Sequence, residues 1–101
     1  MSLTDLAATI AARAGADPDT SWTARLLANP DKAAEKFGEE AVEAIIEAVK
    51  GDRAALTAEA ADALYHLLVM CAARDVSLAD IEAELAKRKS QSGISEKASR
   101  P

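Results

Sequence analysis

Cysteine, proline, glycine and aromatic residues are all scarce in this chain. Its 101 residues include one cysteine, three prolines, four glycines and three aromatic side chains, Trp22, Phe37 and Tyr65. The lone Cys71 has no partner within the chain, which excludes a disulfide framework and gives no sign of an oxidising compartment. No stretch alternates apolar and polar residues as a half-buried strand does, and no internal repeat is present. With so few aromatics, a core must be assembled from Ala, Leu, Val and Ile. No apolar run approaches the roughly 20 residues needed to span a bilayer. Met1-Ser2-Leu3-Thr4-Asp5 lacks the basic start and apolar stretch of a secretion signal. The expected address is the cytoplasm, with no membrane partner.

Positive charge is in deficit as well, with 12 basic against 17 acidic residues and a net charge of −5. That balance argues against a general nucleic-acid binder, which gains affinity by releasing counterions from phosphates. A phosphorylated small molecule remains compatible with it, given a metal ion or a local basic patch. What the chain does have is alanine and leucine, both strong helix formers, and apolar residues make up 50% of it. So short a chain leaves much of its surface unburied, and a homo-oligomer, in the simplest case a homodimer, is expected.

Start and stop signals divide the chain into four main helices and a shorter one. Ser2 with Asp5 forms a capping pattern ahead of an apolar-periodic stretch that stops at Gly15. Residues 16–20 read as a loop, and 21–28, with Trp22, Leu26 and Leu27 in register, as a short helix. Asn29 as cap and Pro30 at the first helical position open a long helix that ends near Lys50, at Gly51. Asp52 caps the next, which runs to about Arg74, and Ser77 with Asp80 opens the last, carrying a narrow stripe of Leu78, Ile81 and Leu85. The expected fold is all-α, a single domain over residues 1–101 built as an antiparallel helical bundle and completed by dimerisation. Residues 90–101 form a basic tail.

On the helix over 30–50, Glu39, Glu40, Glu43 and Glu47 share one face with Lys32 and Lys36. A solvated surface is the ordinary reading of such a face. Two features count against it. Glu39, Glu43 and Glu47 are like charges spaced four apart, each pair destabilising by a few tenths of a kcal/mol. Lysines near the amino end and glutamates toward the carboxyl end also oppose the helix dipole. A divalent cation would relieve both. Gly38 interrupts the same helix at about 1 kcal/mol relative to Ala, and reads as a point of close helix approach.

The following helix is more informative. Between residues 54 and 73 only Glu59 and Asp62 carry formal charge, and His66 is the one other group that titrates near neutrality. A helix apolar on nearly every side is buried, in a bundle centre or an oligomer interface. Glu59, Asp62 and His66 recur at i, i+3 and i+7 and so lie on one face. Buried acids need a partner, a proton or a metal. No lysine or arginine in that stretch serves them. Fifteen residues separate Glu43 from Glu59, enough to finish one helix, turn and start back. Antiparallel packing then sets Glu40 and Glu43 against Glu59 and Asp62, four carboxylates suited to a hard cation such as Mg²⁺. His66 reads as a packed residue beside that site, since Mg²⁺ prefers oxygen. Cys71 and Met70 read as core, and Tyr65 as core or interface.

The last fifteen residues carry Lys87, Arg88, Lys89, Lys97 and Arg100 against a single acid, Glu96. A frayed terminus and a segment folding over an anionic ligand both fit that composition.

Glu39-Glu40-x-x-Glu43 followed by Glu59-x-x-Asp62 resembles the metal motif of the all-α nucleoside-triphosphate pyrophosphohydrolases, the superfamily that includes the MazG-like enzymes. Ser21-Trp22-Thr23 with Leu26-Leu27, Lys36-Phe37-Gly38-Glu39-Glu40-Ala41, Asp62 through Leu68, and Ser92 through Arg100 narrow the resemblance to its phosphoribosyl-ATP pyrophosphohydrolase family. It covers almost the whole chain, departing only in Trp22 where the family has tyrosine. The resemblance implies Mg²⁺-dependent hydrolysis of 1-(5-phosphoribosyl)-ATP to 1-(5-phosphoribosyl)-AMP and pyrophosphate, the second step of histidine biosynthesis, in a helical homodimer. With no fused cyclohydrolase domain here, the next step is expected on another chain. On this reading Glu40, Glu43, Glu59 and Asp62 hold the metal and Glu39 orients water or assists a second ion. Lys32, Lys36, Lys97 and Arg100 bind the phosphates. Two alternatives remain open at this point: a house-cleaning pyrophosphohydrolase acting on ordinary or damaged nucleotides, and a non-catalytic helical dimerisation module.

Overall fold

In the computed structural model, which describes residues 1–89, five helices follow one another: α1 (Leu3–Ala12), α2 (Trp22–Leu27), α3 (Pro30–Lys50), α4 (Arg53–Ala72) and α5 (Leu78–Arg88). The fold is all-α, and among the described residues there is no strand. Each helix begins where a side chain satisfies its free amides. Ser2 and Ser77 form full capping boxes with Asp5 and Asp80, while Ser21, Asn29 and Asp52 each accept from the amide three residues on.

Two helix ends fall short of their expected positions for the same reason. α1 ends at Ala12 rather than running to Gly15, and α4 at Ala72 rather than Arg74. In both, the last amides reach back three residues instead of four, which tightens the final turn. Beyond α4 the Val76 amide donates to the Cys71 carbonyl at 2.9 Å, around Asp75 in the left-handed region at φ 61°. α3 stops as expected, at Gly51 with φ 80°, a conformation that favours glycine.

The buried core lies at one end of the molecule. Ile10 of α1, Leu26 of α2, Ala33 of α3 and Leu68 and Val69 of α4 form it, with Leu6, Leu27, Tyr65, Leu78 and Ile81 packed around them. Thr23 and Tyr65 share a hydrogen bond between their hydroxyls, tying α2 to α4. At the other end α3 and α4 pair as an antiparallel hairpin, and the outer half of α3 is bare. Val42, Ile45, Ile46 and Val49 are exposed there, Ile45 at 61% and Val49 at 83%. The molecule measures 46 × 33 × 27 Å, longest as this arm requires.

α4 corrects one expectation. Its 20 residues are long and apolar enough, by length and composition alone, to cross a membrane, although no such run was expected. Of the two settings expected for this helix, a bundle centre and an oligomer interface, the single chain does not supply the first in full: only His66, Leu68 and Val69 are buried on it, and Leu64 is exposed. Gly38 differs too, since a Cβ there meets nothing within 4 Å and no close helix approach requires the glycine.

Candidate metal centre and active site

The acidic site is built on the α3–α4 hairpin. Glu40 and Glu43 stand one turn apart on α3, and Glu59 faces them from α4. Each contributes a carboxylate oxygen lying within 4.8 Å of the other two. Glu59 is the most constrained of the three. Its Oε2 is buried with no hydrogen-bond partner. Burial, contact with Glu43, and the nearby charges of Asp62 and Glu40 all push its pKa above the ordinary glutamate value. Ionised, it is an unsatisfied anion among anions. The only way it shares a hydrogen bond with Glu43 is for one carboxyl to carry a proton.

A cation fits this donor set. The three oxygens, within 4.8 Å of one another, would have to draw together to share one ion, a movement open to long glutamate side chains. Three hard oxygen donors suit Mg²⁺, which keeps waters for the rest of its shell and shares it with phosphates.

The remaining expected residues fall at different distances from this centre. Asp62, expected to be buried, is exposed, because no other described element covers its side of α4. It lies outside the group of three but close enough to Glu59 to raise its pKa. Glu39 is turned to Lys36, whose Nζ donates to its Oε2 at 2.9 Å and stands 3.9 Å from Glu40. This pair lowers the Glu39 pKa and raises that of Lys36, mainly through their hydrogen bond. Lys32 pairs with Glu35 at 3.6 Å, and Glu47, next along the acidic face, with Lys50 at 3.5 Å. The lysines of α3 thus answer part of the charge conflict read from its sequence, whereas Glu43 and Glu59 have no ion pair among the described residues. Lys97, Arg100 and the tail lie outside the described residues.

His66 has a position that spacing alone did not convey. The ring is 8% exposed, its Nδ1 donates to the Asp62 carbonyl at 2.8 Å, and its Nε2 is buried without a partner. The Tyr65 ring meets it edge-on, with centroids 4.8 Å apart. The one signal for this cluster in the sequence is three neighbouring polar tips, Thr23, Tyr65 and His66, within otherwise apolar segments. At the far end of α4 an open apolar groove of about 700 Å³ is lined by Ala7, Ile10, Leu27, Leu68, Val76 and Leu78 among others, and shares no residue with the carboxylates.

Comparison with known proteins identifies the family of the chain. The family described as phosphoribosyl-ATP pyrophosphohydrolase matches residues 3–89. A phosphoribosyl-ATP pyrophosphatase of a Jannaschia species is 77% identical over 99 residues, covering 97% of each chain. That of Ruegeria pomeroyi is 74% identical over 100 residues, covering 98% of this chain and 95% of its own. That of Dinoroseobacter shibae is 77% identical over 99 residues, with 97% of each covered. A match of this extent, over a chain whose paired helices carry the expected carboxylates, places the protein in the phosphoribosyl-ATP pyrophosphohydrolase family.

Proposed function

We propose that the protein hydrolyses the α–β phosphoanhydride of 1-(5-phosphoribosyl)-ATP in a Mg²⁺-dependent reaction of histidine biosynthesis. Water attacks phosphorus, the bridging P–O bond breaks, and 1-(5-phosphoribosyl)-AMP and pyrophosphate leave. The observation that carries this reading is the orphaned Glu59 carboxylate facing Glu40 and Glu43, in a chain 77% identical to a protein named for this substrate.

Glu40, Glu43, Glu59 and Asp62 are the residues assigned to hold the metal. Bound there, Mg²⁺ supplies polarisation of a phosphoryl oxygen and compensation of leaving-group charge. Glu39 holds a water near the reacting phosphorus once its lysine has turned away. Lys36 and Lys32, now paired with glutamates of their own helix, exchange those partners for substrate phosphates. Lys97 and Arg100 of the 90–101 tail close on the phosphate groups, as charge-assisted donors do. The enzyme works in the cytoplasm as a homodimer. Val42, Ile45, Ile46 and Val49 of α3 and Leu64 of α4, apolar and exposed in the single chain, form its interface. Glu59 and Asp62 on α4 suit a protein interface better than lipid.

Pyrophosphate release from phosphoribosyl-ATP, with and without Mg²⁺, tests the activity, and a panel of ordinary nucleoside triphosphates tests its selectivity. Glu43→Gln and Asp62→Asn are each expected to abolish turnover with helix content unchanged. Near-normal turnover in both would refute the metal assignment. Removing residues 93–101 is expected to raise KM for phosphoribosyl-ATP.

A further inference from the structure

Among the described residues, two buried side-chain polar atoms have no hydrogen-bond partner: Oε2 of Glu59 and Nε2 of His66. Both sit on α4, seven residues apart and on one face. The proposed metal accounts for the first. It does not account for the second, which lies about 10 Å further along the helix axis at 1.5 Å per residue and offers nitrogen rather than oxygen.

The tautomer of His66 follows from its neighbour. The Asp62 carbonyl has no proton to give, so Nδ1 must carry the hydrogen across their 2.8 Å contact. In the neutral ring, Nε2 then presents a lone pair. The edge contact from Tyr65, whose hydroxyl is in turn tied to Thr23, holds the ring in place. The result is a fixed, buried acceptor lacking a donor from the protein, an arrangement that costs stability unless a partner arrives.

Glu39 of α3 is a neighbour of His66 across the hairpin. Glu39 is close enough to His66 for the two to interact electrostatically, and Lys36 is bonded to Glu39. Both are long side chains with solvent-exposed portions, and on the proposed reading Lys36 turns to the phosphates. That movement releases Glu39 as well and changes the surroundings of His66.

We infer that His66 is a specificity-determining residue that accepts, through Nε2, a hydrogen bond from an O–H or N–H of the substrate's nucleoside portion. This rests on the proposed activity: phosphates lie at Glu40, Glu43 and Glu59, and the nucleoside extends along α4 toward His66. A substrate reduced to its phosphates leaves this acceptor unpaired.

His66 is the chain's single histidine, so its ring nitrogens can be followed directly in the wild-type protein by long-range proton–nitrogen correlation. Saturating phosphoribosyl-AMP is expected to move the Nε2 resonance toward that of a hydrogen-bonded nitrogen, while pyrophosphate with Mg²⁺ leaves it in place. An unmoved resonance with phosphoribosyl-AMP, or an equal shift with pyrophosphate, overturns the inference. His66→Asn keeps a donor for the Asp62 carbonyl but is too short to place an acceptor at the Nε2 position. It is expected to raise KM for phosphoribosyl-ATP about tenfold with kcat within about threefold. His66→Gln, which returns an acceptor near the Nε2 position, recovers most of that loss. An unchanged KM in His66→Asn, with the wild type turning over normally, overturns the assignment of His66 alone. Wild-type protein that releases no pyrophosphate from phosphoribosyl-ATP overturns the activity and this inference together.

Discussion

Glu59 of α4 lies against Glu43 of α3 across the hairpin, and its outer oxygen is buried with nothing to bond to. An acid held in that position binds a proton more tightly when folded than when unfolded. Between the unfolded value, near 4.5, and the raised folded value, the native state carries the extra proton. Its contribution is fully present below that window and is lost as pH rises through it. The metal-free wild type is therefore expected to lose stability relative to Glu59→Gln as pH climbs above about 4.5. Thermal melts of both proteins across pH in a chelating buffer read this directly, and parallel curves would count against it.

Metal binding at the proposed site is expected to reverse that penalty. At free Mg²⁺ a hundredfold above its dissociation constant, stabilisation of about 2.7 kcal/mol is expected. For a domain of this size that raises the melting temperature by roughly 10–20 °C. Glu43→Gln should remove most of the gain while leaving the metal-free melting temperature level or higher, because it also removes a repulsion. Differential scanning calorimetry with and without the ion decides.

Ile45 is 61% exposed in the single chain, and within a monomer Ile45→Lys changes stability by less than about 0.5 kcal/mol. In a dimer closed through α3 the same change buries an unpaired charge. The variant is expected to sediment as a monomer under conditions where the wild type is dimeric. A wild type that sediments as a monomer would refute the dimer, and an Ile45→Lys that stays dimeric would move the interface elsewhere.

Leu26 is fully buried among α1, α3 and α4, and Leu26→Ala is expected to cost roughly 2–5 kcal/mol. Chemical denaturation measures it. The same truncation at Leu85, which is mostly exposed, should cost far less, and equal losses at both sites would mean that α5 is covered by something beyond this chain.

Caps and periodicity made the helices legible from the residues. Ser2, Asn29, Asp52 and Ser77 are found where their side chains predict a start, because a cap depends only on amides within the next three residues, while Ser21, read as the first residue of the short helix, is its cap. The meeting of Glu40, Glu43 and Glu59 was legible too, since a short turn at Gly51 leaves an antiparallel return as the only course. The environment of Asp62 was not. Helical spacing fixes which way a residue points but not whether another element covers it, and no described element covers Asp62. The pairing of Lys36 with Glu39 was hidden for a related reason: an order of charges unfavourable to the helix dipole does not prevent a close contact between flexible side chains. His66 was legible as a packed residue, and it is buried; its unpartnered Nε2 was not, because that depends on neighbours that spacing along one helix does not reveal.

The turn through Gly51 and Asp52 has a consequence for how the protein comes into being. All the acidic groups assigned to the ion lie within one helical hairpin, so they can be gathered without closing a long loop of chain. α1 and α5 need not be in place for that hairpin to form. A nascent polypeptide with only residues 30–72 structured would already hold the proposed chelating groups together, and on that proposal magnesium in the surrounding fluid acts as a folding template before the termini dock.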